Sequence, residues 1–273
     1  MSAACSEPLD GARIRASLSL RTQRYVRRLE VVESIESTNS ALMERASPPI
    51  GTAEVLLAEI QTAGRGRRGR SWLAAPGGAI CLSLSWTFPQ MPRDISALSL
   101  AAGVCVLRAL GAHGANDVGV KWPNDILLHE GKLGGILIEL RSESPGPASV
   151  VIGIGLNMTL ASDLAGRIAE LGNPAMDLDS QGHASISRNA LAASLIEVCI
   201  DGLMEFEREG LRPFIEEWRH ADALHGQLVS VQSAEDSAQG IARGIDLAGA
   251  LVLETPQGLK RFMSGDVTVR LIV

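Results

Sequence analysis

Apolar and polar positions change their period three times along the chain. Leu29 to Ile35 and Ala53 to Ile60 are short apolar runs that predict strands, the second of them buried. Between them, Glu36-Ser37-Thr38-Asn39 places hydroxyls at the start of a helix running to about Ala46; exposed hydroxyls and backbone donors at a helix start also suit a polar ligand. Ala79 to Thr87 alternates as a strand, and Asp94 to Leu110 repeats Leu98, Ala101, Ala102, Cys105 and Ala109 at helical spacing, a buried helix ending at Gly111. Gly119 to Asp125, Ile126 to Leu128, the turn His129-Glu130-Gly131 and Lys132 to Leu140 predict a hairpin, and Ser149 to Asn157 a further strand. Met158 to about His183 has few apolar repeats and is expected to be a long loop placed to close on a ligand. Ser187 then caps a helix from Arg188 to about Glu209, and a second helix runs from Leu211 to Ala221.

From His225 the period shortens to two. Gln227 to Gln232, Gln239 to Ile245, Ala250 to Glu254, Leu259 to Met263 and Val267 to Ile272 predict five strands closing a small barrel. The expected organisation is a tail with a short terminal helix over residues 1–28, a large domain over 29–222 and a small one over 223–273, with a boundary near Asp222.

Composition narrows the chemistry. With 46% hydrophobic residues in 273 the chain is globular, and a formal net charge of -6 argues against a nucleic-acid partner held by a general basic field. Cys5, Cys81, Cys105 and Cys199 lie far apart with no Cys-x-x-Cys or Cys/His pairing, so Cys81, Cys105 and Cys199 are expected as small core residues in a reducing, cytoplasmic compartment. The histidines are equally scattered and lack a partner at motif spacing. No apolar run approaches the ~20 residues of a membrane span, and the N-terminus lacks the apolar core of a signal peptide.

Against this acidic background, Gln61 to Trp72 packs four arginines and three glycines into twelve residues, directly after a predicted strand. Gly64-x-Gly66-x-x-Gly69 matches the dinucleotide fingerprint in letters, but Ser71-Trp72-Leu73-Ala74-Ala75-Pro76 cannot open the helix that fingerprint needs. The loop therefore points to an anionic ligand gripped in another way, with arginine forks suited to carboxylate or phosphate oxygens. Lys121 and Lys132 sit in predicted strands, where a lysine is costly without an anionic partner. Gly153 and Gly155 thin one face of their strand, leaving room for a flat group, and Asn157 offers an amide that can both donate and accept.

Five of these motifs, Glu36-Ser37-Thr38-Asn39, Gln61 with Gly64 to Arg70 and Trp72, Lys121-Trp122-Pro123-Asn124-Asp125, Lys132-Leu133-Gly134-Gly135-Ile136-Leu137 and Gly153-Ile154-Gly155-Leu156-Asn157, resemble in order and spacing the biotin protein ligases, from about Val31 to the C-terminus. The resemblance implies a mixed α/β (α+β) catalytic domain of the class II synthetase-like type with a C-terminal SH3-like barrel. It implies formation of biotinyl-5'-AMP from biotin and ATP with Mg2+, and transfer to a lysine of a biotin carboxyl carrier domain. Ser37, Thr38, Asn39, Gln61, Arg65, Gly66, Arg67, Lys132 and Gly135 are then the biotin set, with Lys132 and Arg67 catalytic. Arg67, Arg70, Trp72, Lys121, Asn124 and Asn157 are the nucleotide set, and Asp125 serves a metal or orients a lysine.

Family members that also repress transcription carry a winged-helix domain for which residues 1–28 leave no room, so the expectation is a monofunctional ligase without DNA or membrane partners, monomeric or homodimeric. The segment after Trp72 lacks a serine common in the family, which touches only a minor contact. The rival readings are a lipoate ligase of the same fold and a non-enzymatic biotin-binding protein.

Overall fold

The structure is a computed structural model and describes residues 7–142, 146–161, 164–166, 168, 174–232, 237–263 and 268–271. Seven strands form the main sheet: β1 (Val26–Ile35), β2 (Ala53–Gln61), β3 (Ala79–Phe88), β4 (Val118–Lys121), β5 (Asp125–Leu128), β6 (Gly131–Ser142) and β7 (Ala148–Asn157). Their spatial order is β1-β2-β3-β7-β6-β5-β4; β1 and β2 run parallel and every other pair is antiparallel.

Alternation along β3 and β7 decides what each face of the sheet does. Ile80, Leu82, Leu84, Trp86 and Phe88 of β3, with Val150, Ile152, Ile154 and Leu156 of β7, enter the main core. There they meet the helices α4 (Leu98–Ala112) and α5 (Arg188–Glu209). The opposite face carries Ser83 and Ser85 of β3 beside the short helix α3 (Thr38–Glu44), whose Leu42 packs on Leu56 and Val151 in a separate small cluster. Because this second face is also covered, β3 is buried along its whole length.

The segment Ile95–Ala112 is long and apolar enough to cross a membrane by length and composition alone, which the reading of apolar runs did not register. Here it packs as the central core helix, with Leu98, Leu100, Val104, Val106 and Leu110 all buried. Ser187 caps α5 as expected, accepting from the Ala190 amide. The second helix is a 3-10 turn, Arg212–Phe214, leading into α6 (Ile215–His220).

Residues 11–23 are not a frayed tail. They form α1 (Gly11–Ser17) and α2 (Leu20–Gln23), and β1 begins at Val26, earlier than the apolar run suggested. Asp10 caps α1 by accepting from the Ala12 and Arg13 amides, and Ile14 and Leu18 enter the core. The arginine-rich composition concealed these few anchoring residues. Behind them lies a buried ion pair: Arg188, 3% exposed, holds Glu59 at 2.8 Å and also donates to the carbonyls of Ala79 and Glu7.

The C-terminal SH3-like barrel consists of β8 (Leu228–Gln232), β9 (Ser237–Ile245), β10 (Leu251–Thr255), β11 (Gly258–Phe262) and β12 (Thr268–Leu271), antiparallel in the order β11-β10-β9-β8-β12. Its Val229, Val231, Leu251 and Phe262 continue the main core. The turn ending at Gly249 tucks against Ala97 and Leu100, where its carbonyl accepts from the Trp122 indole at 3.1 Å. Since Trp122 belongs to the segment between β4 and β5, the barrel directly buttresses one side of the site described next.

Candidate active site

A cavity of about 280 Å³ opens on the α3 face of the sheet, floored by β7, β3 and β6 and walled by the arginine loop. Ser37, Thr38, Asn39, Gln61, Arg65, Gly66, Arg67, Lys132 and Gly135 all line it, and so do Arg70, Trp72, Asn124 and Asn157. Lys121 and Asp125 stand outside the lining, one layer back.

The arginine loop is a bridged turn, not a helix start. Arg65 pairs with Ser71, the Trp72 amide donates to the Gly64 carbonyl at 2.8 Å, and the Gly66 amide to the Arg70 carbonyl at 2.6 Å. Arg68 and Gly69 take left-handed conformations, φ 60° and 71°, which turn the chain back. A Cβ on Gly64 would stand 2.5 Å from the Trp72 carbonyl oxygen, so the return strand needs glycine there. The fold thus gives the physical reason why the dinucleotide fingerprint does not apply.

At the polar end, the first turn of α3 meets β2 and β3. Ser37 caps α3 by accepting from the Ser40 amide. Gln61 Oε1 accepts from the Thr38 amide at 2.8 Å and lies 3.1 Å from its hydroxyl. Ser83 Oγ lies 2.7 Å from Thr38 Oγ1 and 2.6 Å from Asn39 Oδ1, buried with both. Ser83, which the sequence did not single out, and Cys81, expected as a small core residue, also line the cavity. Their signal was present in the alternation of β3, which puts them on the face opposite Leu82 and Leu84. The Cys81 thiol is pushed up to about 11, mainly by burial, so it is a small wall residue and not a nucleophile.

At the cationic end, Lys132 Nζ lies 2.7 Å from Asp125 Oδ1. Arg67 donates to Asn124 Oδ1 at 3.1 Å, and Asn124 is itself fixed by donating to the Ile136 carbonyl at 3.0 Å. Burial holds the Lys121 ammonium below the usual lysine range, opposed by Asp125 and reinforced by the charges of Lys132 and Arg70. These cations therefore share one neighbourhood, with Asp125 the carboxylate between them. Among the described residues no three His, Cys, Asp or Glu side chains converge to hold a metal, and the Asp125 carboxylate is engaged by Lys132. The donor set does not fit a protein-held Mg2+.

The glycine-thinned face of β7 has a specific occupant. A Cβ on Gly155 would stand 2.5 Å from Cε2 of Trp72, so the indole lies flat on the backbone of β7, while Gly153 makes room for Asn39. The flat group expected on this face is in part the protein's own tryptophan. Asn157 donates to the Met176 carbonyl at 3.0 Å, whereas its Oδ1 is buried without a hydrogen-bond partner among the described residues; the Trp72 indole faces the Cys81 thiol. The unmatched acceptor suits a heterocycle that offers a donor. The expected closing loop is only partly within the described residues: 162–163, 167 and 169–173 lie outside them. Its return limb at Ala175 bridges to Lys132.

A cavity polar at one end and cationic at the other, walled by an arginine loop and buttressed by an SH3-like barrel, suits an enzyme that binds a polar substrate through its anionic end. The biotin/lipoate A/B protein ligase family matches residues 31–157, and the biotin protein ligase C terminal domain matches residues 224–270. The bifunctional ligase/repressor BirA of Escherichia coli is 37% identical over 241 residues, covering 88% of this chain and 73% of that protein. The biotin--[acetyl-CoA-carboxylase] ligase of Mycobacterium tuberculosis is 35% identical over 247 residues, covering 88% of each. The fold is shared with the biotin protein ligase of Aquifex aeolicus in complex with biotin and ATP: TM-score 0.73, 24% identity, 91% of this chain and 100% of that one. The chain belongs to the biotin protein ligase family, and it is an ATP-dependent ligase whose substrates are biotin and ATP.

Proposed function

We propose that this chain joins biotin to ATP as biotinyl-5'-AMP, releasing pyrophosphate, and then passes the biotinyl group to a lysine of a carboxylase's biotin carboxyl carrier domain. The observation that carries this reading is the convergence of Lys132, Arg67 and Arg70 at one end of a cavity whose other end is lined by Thr38, Asn39 and Gln61. Thr38 and Gln61 face the ureido ring. Lys132 and Arg67 hold the carboxylate against the α-phosphate. A carboxylate oxygen attacks the α-phosphorus, and the P–O bond to pyrophosphate breaks. The barrier is repulsion between two anions, so fixed cations lower it without a general base. The attacking lysine of the carrier must arrive neutral; it displaces AMP at the acyl carbon and loses its proton as the amide forms. Arg70, Trp72 and Asn157 face the nucleotide, Lys121 supports its phosphates from one layer back, and Asn124 aims Arg67.

Residues 29–222 form the catalytic domain in this proposal and 223–273 the barrel domain. The family match that starts at residue 224 and the first barrel strand at Leu228 support that division. The acidic net charge supports a protein without a nucleic-acid partner, and three free buried cysteines support a reducing, cytoplasmic setting. The second family match, specific to biotin ligases, favours biotin over lipoate. The test is pyrophosphate release and biotinyl-AMP formation with biotin or lipoate, Mg2+ and ATP, alongside Lys132→Ala. Adenylate from biotin alone, with kcat/KM at least ~100-fold lower in the variant, is expected from the loss of a half-buried charge aimed at the reacting anions. No adenylate from biotin despite measurable binding overturns the proposal.

A further inference from the structure

We propose that Glu139 is a positioning residue of the biotin pocket: its carboxylate holds Asn39 of the first turn of α3 and Arg65 of the arginine loop together, and so sets the polar end of the pocket. This rests on the biotin reading of the pocket proposed above.

Glu139 lies on β6, outside the cavity lining, with a side chain 20% exposed. Two lining residues converge on it. Arg65, from the arginine loop, places Nη1 2.9 Å from Oε1 and 3.3 Å from Oε2. Asn39, from the first turn of α3, donates Nδ2 to Oε2 at 3.0 Å and also lies 3.3 Å from the Leu137 carbonyl. A carboxylate only accepts, so together with the Leu137 carbonyl it holds the amino group of Asn39 toward β6 and the carbonyl Oδ1 toward Ser83. Gly153 makes room for this arrangement, since a Cβ there would collide with Asn39 Oδ1.

The consequence runs along a chain of hydroxyls. Ser83 has one proton and two close neighbours, Asn39 Oδ1 at 2.6 Å and Thr38 Oγ1 at 2.7 Å. The Asn39 carbonyl can only accept, so it takes the Ser83 proton, while the Thr38 hydroxyl has Gln61 Oε1 as its own acceptor at 3.1 Å. Thr38 is thereby left with a lone pair in the cavity wall. A ureido ring carries N–H donors flanking a carbonyl acceptor, so a fixed Thr38–Asn39–Ser83 cluster is part of what the pocket recognises. Glu139 is a good anchor because its orientation is set twice, by Arg65 as well as by Asn39.

The test is calorimetric binding of biotin and of ATP to the wild type and to Glu139→Gln, with Glu139→Asp as the variant that keeps the charge. Glu139→Gln is expected to weaken biotin about tenfold, as losing a charge-assisted pair should, and to leave ATP within about twofold; Glu139→Asp should fall between it and the wild type. Thermal unfolding checks that both variants fold. Unchanged biotin affinity in a folded Glu139→Gln overturns the proposal, as does an equal loss for biotin and ATP, which marks general damage. A wild type that does not bind biotin overturns instead the function on which this inference rests.

Discussion

Gly155→Ala isolates the one place where the protein's own side chain lies on the glycine-thinned strand. The added methyl would begin 2.5 Å from Cε2, 2.7 Å from Cζ2 and 3.0 Å from Nε1 of Trp72. Carbon atoms pack at about 3.5 to 4.0 Å, so the indole must retreat by roughly 1 to 1.5 Å. Gly155 itself cannot yield, since it is paired on both sides, with Cys81 of β3 and Gly135 of β6. Trp72 is the free party: it is half-buried and ends a loop held mainly by its own cross-bridges. Global stability should therefore change by less than about 1 kcal/mol, because the clash can be relieved outward. The cost falls instead on the arrangement in which Trp72 closes the cavity, and overpacking of this kind is worth about 1 to 3 kcal/mol. Charged to nucleotide binding, that is a loss of about 5- to 150-fold in ATP affinity. Biotin-dependent ATP–pyrophosphate exchange, titrated separately in ATP and in biotin, reads the split. A KM for ATP that rises while the KM for biotin moves by less than about threefold supports the geometry. A wild-type KM for ATP in a folded Gly155→Ala protein, or a variant that fails to fold, refutes the placement of the indole.

Two further outcomes concern stability. Arg188→Met leaves the partly buried Glu59 with only the Leu9 amide and strands the carbonyls of Ala79 and Glu7, so chemical denaturation should show a loss of about 1 to 3 kcal/mol. Asp222, next to the β4 bridge that joins the barrel, has its carboxyl pushed up to about 6 by burial, against an ordinary 3.8. The folded state therefore holds this proton to higher pH than the unfolded chain, and the group's contribution to stability falls as pH rises from about 4 to about 6. Asp222→Asn should flatten the stability profile across that window and gain on the order of 1 to 2 kcal/mol at pH 7 relative to pH 4, read by urea melts at each pH.

The sequence by itself determined the elements and the chemistry, because both depend on local order. Apolar runs placed β2 and β7, and alternation placed β3, each within a residue or so; Ser187 marked the start of α5, and the five barrel strands followed from their turns. The arginine loop, Lys132 and the Ser37-Thr38-Asn39 cap stood out as charges and hydroxyls at structural joints. What sequence could not supply is which of these share a volume. Asp125 and Lys132 are seven residues apart, yet they meet only because β5 and β6 pair antiparallel with a register shift between Ile126 and Leu127. Cys81 and Ser83 looked like any alternation in a strand until α3 covered their face. Glu139 lies near the end of an apolar strand, and only the meeting of β6, α3 and the arginine loop gives its carboxylate partners. The N-terminal arginines likewise masked Ile14 and Leu18, whose burial depends on α5, which lies some 180 residues further along the chain. Local periodicity is written in neighbouring residues; the partner of a buried polar group is fixed by strand order and register, and those are settled only when the whole sheet is assembled.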